Sequence, residues 1–356
     1  MKLARRVFLA FGAGGAALTA LPRFASALDY PTRPVHIVVG FAAGLSPDIL
    51  GRMIAQALSE RLNQQFIVDN RPGAASNIGT EVVAHAAPDG YTVLLTISGN
   101  TINATLYAHL NFDFARDLTP VAAIGRTPFV IVVNPAFPVR SVPELIEYAK
   151  SNPGKINIAS AGPGTGPHVA CELFKMMTGV DMVQVPYKAS YMTDLLGGQI
   201  PIAFSPIAQI IQDVRAGKLT AIGVTTPTRS DAAPEIPAIA EFVPGYAASG
   251  WYGICAPTGT PDEIIEKLNA ATTDCVSDPT LKSRLLNLGV EPMPMSVANF
   301  KKFVADEIAK YAKVTQFAGI KWNKAFLLRA PRPCLCLETT LKRPSHGDRR
   351  AAYLPM

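Results

Sequence analysis

Two glycine-rich turns constrain the fold of this chain more than any other feature. The first is FAAGLSPD at residues 41–48, and the second is SAGPGTGPH at residues 160–168. Each follows a short apolar run and opens an amphipathic one, which is the order of a strand, a turn and a helix. A helix start of this kind exposes unpaired backbone N–H groups, and its dipole favours negative charge. The sequence therefore predicts two α/β units that hold a small anion between the two turns.

The first turn carries the start signals of a helix. Ser46 is predicted to be the N-cap, Pro47 takes the first helical position, and Asp48 lies where the helix dipole favours a carboxylate. The apolar residues that follow recur at helical spacing. An ordinary capped helix that binds no ligand stays open as an alternative interpretation.

Apolar runs alternate with amphipathic ones along most of the chain, which predicts an α/β fold of mainly parallel sheets flanked by helices. The predicted strands are residues 35–39, 66–68, 91–97, 129–133, 155–159, 181–185, 200–204, 219–224 and 251–255. The last three helices are predicted at residues 261–276, 280–288 and 297–317. The stretch between residues 98 and 128 shows no clear element, and we expect a loose connection there.

The order of these elements predicts two lobes, because the chain leaves the first lobe and later returns to it. Lobe 1 is predicted at residues 28–127 together with 228–322, and lobe 2 at residues 128–227. After Trp322 the periodicity is lost, and residues 323–356 are predicted to form a disordered or loosely attached tail.

Residues 1–27 have the pattern of an export signal. Basic residues precede a short apolar stretch, and an Ala-Ser-Ala cleavage site ends it. Arg5 and Arg6 also resemble a twin-arginine signal, so both export routes stay open. A membrane anchor is the alternative, but the apolar run is short and glycine-rich. We expect an exported mature protein that begins near Leu28 and is not embedded in a membrane.

The net charge of +6 belongs to the two ends of the chain. Residues 1–27 contribute +4 and residues 323–356 contribute +5, so the residues between them carry −3. A mildly acidic body gives no reason to expect a nucleic-acid partner.

The cysteines indicate neither a disulfide framework nor a metal centre. Cys171 and Cys255 occupy core-like positions, as small buried apolar residues do. Cys334, Cys336 and His346 have the chemistry of metal ligands, but their spacing is not a usual zinc pattern. No cofactor is expected either, since the glycine turns lack both the dinucleotide fingerprint and a phosphate loop.

The histidines leave one enzymatic alternative open. His36 and His85 are predicted to be structural residues in the core, whereas His168 either contacts a ligand or caps its helix. Ser160 with His168 suggests the nucleophile and base of a hydrolase. The chain has no G-x-S-x-G elbow and no evident third member of a triad.

Four segments are predicted at the carboxyl ends of strands, and the order of the elements places the two glycine turns on opposite lobes of one cleft. The four segments are residues 41–46, 98–100, 160–168 and 205–206, and they are rich in Gly, Ser, Thr and Asn. Ligands of α/β sheets bind at such carboxyl ends or in a crevice between domains. Hydrogen-bond donors without positive side chains suit a carboxylate that is bound by amides and hydroxyls.

Several motifs, taken in order, resemble one family of proteins. They include YPTRP at residues 30–34, DNRPG at 69–73, NIGT at 77–80, APDGY at 87–91, DLLGG at 194–198, AGKL at 216–219, FVPGY at 242–246 and WYG at 251–253. This set resembles the extracytoplasmic receptors of tripartite tricarboxylate transporters, also called the Bug family. The resemblance runs from about Tyr30 to Ile320.

The resemblance implies a two-lobed periplasmic binding protein of the Venus flytrap type that closes on a small carboxylate. It implies a periplasmic, monomeric protein whose partners are transporter membrane subunits or a sensor ectodomain. The glycine loops are implied to hold one carboxylate, largely through backbone groups and bridging waters. Together with the strand ends, it predicts ligand contacts at Phe41, Ala43, Gly44, Ser46, Asn77, Ser98, Asn100, Ser160, Ala161, Gly162, Gly164, Thr165, His168, Tyr187 and Ser205.

The chain departs from the family pattern at three places. Leu45 and Pro47 stand where relatives usually carry a glycine and a threonine, and the loop at 187–193 is about two residues shorter. Ser205 stands where many relatives have an aspartate, so an amine on the ligand loses a natural partner. These departures favour a mono- or dicarboxylate without a positive group, and leave open a receptor with impaired binding.

Overall fold

The computed structural model describes residues 29–320, except residues 108, 161, 163, 188 and 189. Within these ranges the strands, β1 to β10, are Val35–Val39, Phe66–Asn70, Thr92–Ile97, Leu118–Val133, Asn157–Ser160, Val183–Pro186, Ile202–Pro206, Thr220–Val224, Ser249–Pro257 and Glu291–Pro292. The helices, α1 to α11, are Ser46–Leu62, Asn77–Ala84, Ser98–Leu106, Phe114–Asp117, Val142–Ser151, Gly166–Thr178, Met192–Leu196, Ile207–Arg215, Asp262–Ser277, Pro279–Asn287 and Val297–Phe317. The predicted α/β class is confirmed.

One sheet path connects the strands in the order β2-β1-β3-β9-β4-β7-β5-β6. Strands β2, β1 and β3 are parallel to one another, as are β7, β5 and β6. Strand β9 is antiparallel to both of its neighbours, and β4 is antiparallel to β7. The short strands β10 and β8 pair with the two halves of β4.

Strand β4 joins the two halves of the sheet. Its first half, from Leu118 to Pro128, pairs with β9, and its second half, from Phe129 to Val133, pairs with β7. The sequence predicted only the second half as a strand, because Pro120, Gly125 and Pro128 interrupt the first half. Register shifts near Pro120 and Gly125 show how the strand accommodates them.

Four hydrophobic clusters pack on the faces of this sheet. Strands β1 and β3 contribute to two of them, while β5 and β7 contribute to the other two. Two helices from outside residues 128–227 also enter the cluster around β5: α3 contributes Ile102 and Leu106, and α11 contributes Tyr311 and Val314. Both helices therefore pack against elements of residues 128–227, although they lie outside that range in the sequence.

Helix α3 was missed, because Ser98-Gly99-Asn100 was interpreted as a turn. The Asn100 side chain turns back and accepts a hydrogen bond of 2.8 Å from the Ile97 N–H, which fixes the helix start. Burial of Ile102 and Leu106 then stabilises a segment whose intrinsic helix propensity is low.

The predicted N-cap of helix α1 is wrong, since the helix begins at Ser46 after Leu45, which provides no side-chain cap. Ser76 precedes α2, and the Thr260 hydroxyl donates to the Pro257 carbonyl oxygen at 2.8 Å near the start of α9. Helix α5 has a side-chain cap, since Ser141 Oγ accepts the Glu144 N–H at 3.3 Å.

The predictions for residues 1–27, for the tail at 323–356 and for Cys334, Cys336 and His346 lie outside the described residues. Across the ranges that are described, no helix has the length and apolarity of a membrane span. The lobe boundaries stay a prediction.

Candidate functional site

The directions of the strands make two sets of carboxyl ends face each other. Strand β3 ends at Ile97, opposite Tyr252 of β9, and Tyr252 in turn lies opposite Gly125 of β4. Strand β7 approaches from the other direction and ends at Pro206, opposite Phe129 of β4. Gly125 and Phe129 are four residues apart on β4, so the two sets of strand ends lie about 13 Å apart along this strand, at a rise of roughly 3.3 Å per residue. The loops at these ends therefore border a common crevice.

The loop after β1 is held by a buried carboxylate at its helix end. The Gly44 N–H donates to Asp48 Oδ2 at 2.8 Å, and Asn70 Nδ2 donates to the Phe41 carbonyl oxygen at 3.0 Å. The predicted ligand amide at Gly44 is therefore already paired inside the protein. The N–H groups of Ala42 and Ala43 have no partner among the described residues, and their side chains are exposed.

Burial by itself would raise the pKa of Asp48, but its hydrogen bonds outweigh this effect. Donors on Arg52, Gly44 and Asn70 stabilise the ionised carboxylate and lower its pKa to about 2. Ser46, predicted as a ligand contact, lies exposed at the first position of α1.

The start of α2 packs directly against the first loop. A Cβ on Gly40 would lie 2.0 Å from Ser76 Oγ, and one on Gly79 would lie 3.0 Å from the Gly40 Cα. The three preceding residues, Ala74, Ala75 and Ser76, have left-handed backbone with φ of 46°, 54° and 79°. Non-glycine residues seldom adopt this region, and such strain concentrates at functional sites.

A buried polar network lies beneath this segment. Asn103 Nδ2 donates to the Ala75 carbonyl oxygen at 2.8 Å and to Asn77 Oδ1 at 3.1 Å. Asn100 Nδ2 donates to Thr80 Oγ1 at 2.9 Å, so the predicted ligand contact Asn100 serves the protein instead. Asn77 Nδ2, in contrast, is buried and finds no hydrogen-bond partner in the ranges that the structure describes. Ser98, another predicted contact, is largely buried at the start of α3.

The second glycine turn joins β5 to α6. Gly162 and Gly164 have φ of 107° and 79°, which L-residues rarely adopt. Thr165 Oγ1 donates to the Gly162 carbonyl oxygen at 2.8 Å, which closes the turn. A Cβ on Gly164 would lie 2.8 Å from Leu106 Cδ1 of α3, so this turn contacts an element that follows β3. The predicted contact Ala161 lies outside the described residues.

Ser160 and His168 flank this turn with unpaired buried atoms. Neither Ser160 Oγ nor His168 Nδ1 has a hydrogen-bond partner among the described residues, so these two atoms are not bonded to each other. Burial lowers the pKa of His168, although the Glu172 carboxylate opposes the shift, so the imidazole is neutral near pH 7. His168 does not cap the helix through its side chain. Its carbonyl oxygen accepts the Gln184 amide at 3.0 Å.

Tyr187 and Ser205 are engaged with protein groups. Ser205 is fully buried at the end of β7, and its Oγ lies 2.6 Å from Tyr191 Oη. The Tyr187 hydroxyl donates to Asp194 Oδ2 at 2.8 Å. Both predicted contacts therefore already have a hydrogen-bond partner inside the protein.

Sequence reasoning missed the pairing of Asp48 with Asn70 and the roles of Ser76, Asn103 and Tyr191. Only Asp48 carried a signal, and it was interpreted as a favourable charge in the first turn of a helix. The others reach the site through contacts between elements far apart in the chain.

The structure also tests the predictions for two other histidines and for the cysteines. His36 and His85 are exposed, which corrects the prediction that they belong to the core. Cys171 and Cys255 are buried as predicted, and so is Cys275. Within the described ranges no group of His, Cys, Asp and Glu could hold a metal ion.

Comparison with known proteins identifies the family. The family model described as "Tripartite tricarboxylate transporter family receptor" (TctC) matches residues 50–320. Protein BugT of Bordetella pertussis is 33% identical over 301 residues, which are 83% of this chain and 92% of BugT.

Solved structures agree with this result. The R. palustris protein Rpa4515, solved with adipate, is 37% identical and superposes with a TM-score of 0.67. The match covers 82% of this chain and 99% of that protein. MatC of Rhodopseudomonas palustris, solved with bound malate, is 29% identical with a TM-score of 0.63, over 80% of this chain and 99% of MatC. The chain therefore belongs to the family of tripartite tricarboxylate transporter receptors.

Proposed function

We propose that this protein is an extracytoplasmic solute receptor that binds a small carboxylate between two lobes. One observation carries the proposal: buried polar atoms that have no partner in the described part of the chain lie on both sides of the crevice, namely Asn77 Nδ2 on one side and Ser160 Oγ and His168 Nδ1 on the other. An unmade buried hydrogen bond costs roughly 1–3 kcal/mol. A ligand carboxylate, with two acceptor oxygens, would satisfy such groups.

The ligand contacts fall into two groups under this proposal. Direct contacts come from the loop amides at Ala42 and Ala43, from Asn77, and from Ser160 and the turn up to His168. The predicted contacts at Gly44, Asn100, Tyr187 and Ser205 already bond to protein groups and shape the crevice instead.

Small aliphatic carboxylates without an amino group are the ligand class that we favour. Relatives of this chain were solved with adipate and with malate. The Ser205 hydroxyl at the end of β7 bonds to Tyr191 and provides no negative charge for an amine. The direct contacts are amides, a hydroxyl and a neutral imidazole, and these suit carboxylate oxygens.

Isothermal titration calorimetry tests this proposal. Adipate and malate are titrated against the mature protein, with glutamate and aspartate as amine-bearing counterparts of similar size. We expect binding of a simple acid, weaker or no binding of the amino acids, and weaker binding by Ser160→Ala, with Ser151→Ala as the control. Binding of the amino acids alone would overturn the ligand class. No binding of any acid across a carboxylate library would refute the receptor proposal.

The hydrolase alternative would need Ser160 activated by a base. Its Oγ donates to no described group, which favours a receptor. The family is described as receptors, which agrees. Loss of an ester or amide substrate in the presence of wild-type protein, but not of Ser160→Ala, would reverse this conclusion.

Export to the periplasm is part of the same proposal. We infer that residues 1–27 are removed and that the mature protein delivers its ligand to transporter membrane subunits or to a sensor ectodomain. N-terminal sequencing of the exported protein should give a start near Leu28. Replacement of Arg5 and Arg6 by lysine distinguishes the routes, since it blocks twin-arginine export.

The two lobes, at residues 28–127 with 228–322 and at 128–227, are proposed to close on the ligand. Small-angle scattering with and without adipate measures this closure as a decrease in the radius of gyration. An unchanged radius in the presence of a demonstrated ligand would argue against closure.

A further inference from the structure

Three side chains, two from helix α1 and one from the end of strand β2, surround the loop after β1. Asp48 Oδ2 accepts the Gly44 N–H at 2.8 Å and the Arg52 Nε–H at 3.1 Å, while Asp48 Oδ1 accepts Asn70 Nδ2 at 2.9 Å. Arg52 also pairs with Asp48 Oδ1 at 3.0 Å and donates to Asn70 Oδ1 at 3.0 Å. The three side chains thus form a closed triangle, which we call the brace.

The brace holds both ends of the four-residue segment 41–44 within the loop after β1. Asn70 Nδ2 donates to the Phe41 carbonyl oxygen at 3.0 Å, and Asp48 holds the Gly44 N–H. Between these two points, Ala42 and Ala43 keep N–H groups with no partner among the described residues. The orientation of those two amides is therefore set by groups that lie at the loop ends.

The charges of the brace explain how an anion can bind beside a carboxylate. The Asp48 side chain is 4% exposed, and an isolated buried carboxylate next to an anionic ligand would repel it. Arg52 neutralises it from the solvent side, where more than half of the Arg52 side chain is exposed. The pair is locally neutral, so its main effect on a ligand is to fix geometry and not to add attraction.

We propose that Asp48, Arg52 and Asn70 are positioning residues that hold the amides of Ala42 and Ala43 toward the ligand and withdraw the Gly44 amide from it. This inference rests on the proposed function, because it assumes that the loop receives a carboxylate. Preorganised donors bind more tightly, since less conformational entropy is lost on binding.

Two readouts test the brace, and one of them needs no ligand. Amide hydrogen exchange, followed by NMR, measures protection of the Gly44 N–H in the unliganded protein. Calorimetry then measures the affinity for adipate. The variants are Asp48→Ala and Asn70→Ala, with Asp48→Asn as the conservative variant that keeps one acceptor oxygen. Asp306→Ala is the matched control, since it removes an exposed i,i+4 ion pair with Lys302 on helix α11.

In wild-type protein, we expect the Gly44 amide to be protected and adipate to slow exchange at Ala42 and Ala43. Asp48→Ala should release Gly44 and weaken adipate binding about tenfold or more, while Asp48→Asn retains part of both effects. Asn70→Ala should weaken binding with a smaller change at Gly44. The control should change neither readout.

Three outcomes would overturn the brace: rapid exchange at Gly44 in wild-type protein, Gly44 protection that survives Asp48→Ala, or unchanged adipate affinity in a folded Asp48→Ala variant. Failure of the proposed function gives a different pattern. In that case wild-type protein binds no carboxylate, yet Gly44 is protected and is released by Asp48→Ala, so the brace holds the loop without a carboxylate role.

Discussion

Substitution of Ala75 by glycine should stabilise the protein, although glycine normally weakens a fold. Ala75 is the middle residue of three that adopt left-handed backbone, with φ of 54° and ψ of 46°. Its side chain is exposed, so removal of the Cβ loses little packing. The hydrogen bond from Asn103 Nδ2 ends on the Ala75 carbonyl oxygen, which glycine keeps.

The magnitude follows from two opposing contributions. A non-glycine residue in left-handed backbone costs roughly 1–2 kcal/mol through the approach of its Cβ to the carbonyl oxygen. Glycine adds conformational entropy to the unfolded chain, which costs about 0.5–1 kcal/mol relative to alanine. The net expectation is a gain of about 0.5–1 kcal/mol, or about 1–3 °C in the melting temperature of a chain this long.

Urea denaturation and thermal melting of the mature protein measure the change. Ala136→Gly is the matched control, because Ala136 is also an exposed turn residue but does not have a positive φ. We expect the control to lose about 0.5–1 kcal/mol, so that the two variants differ in sign. Equal destabilisation by both substitutions would refute the argument that backbone strain is stored at Ala75.

Three further predictions concern contacts that tie distant segments together. Glu291→Ala should destabilise the protein by about 2–3 kcal/mol in urea denaturation, because the buried Glu291 carboxylate accepts Arg126 Nε at 3.0 Å and its loss leaves that cation without a partner. Gly253→Ala should cost about 1–3 kcal/mol in the same assay, since its Cβ would lie 2.4 Å from Phe300 Cζ and 2.8 Å from a backbone carbonyl oxygen. Asp48 has a depressed pKa, so its contribution to stability should be present above pH 3.8 and fall as the pH drops through about 2. Unfolding curves of wild type and Asp48→Asn between pH 6 and 2 should therefore converge at the acid end, and parallel curves would contradict this.

The sequence predicted the elements whose pattern is local. Continuous apolar runs fixed strands β1 and β3, and the period of helix α11 predicted its bounds at 297–317 correctly. The sequence did not predict helix α3. Its start depends on the Asn100 side chain, which folds back to the Ile97 N–H, and its stability depends on burial of Ile102 and Leu106. The left-handed backbone at Ala75 was not predicted either, since alanine is not a residue type that indicates a positive φ.

By itself, the sequence determined that two glycine turns open helices after buried strands, and its motifs determined the family. These features depend on neighbours in the chain, and a local pattern is enough to specify them. Only the tertiary structure decided that the long strand β4 makes the two sets of strand ends face each other. It also decided which hydrogen-bond donors at this crevice have no partner among the described residues. It pairs the Gly44 amide with Asp48, and it leaves Ser160 Oγ and His168 Nδ1 without a hydrogen-bond partner among the described residues. Such choices depend on contacts between residues far apart in sequence, and a local pattern does not record them.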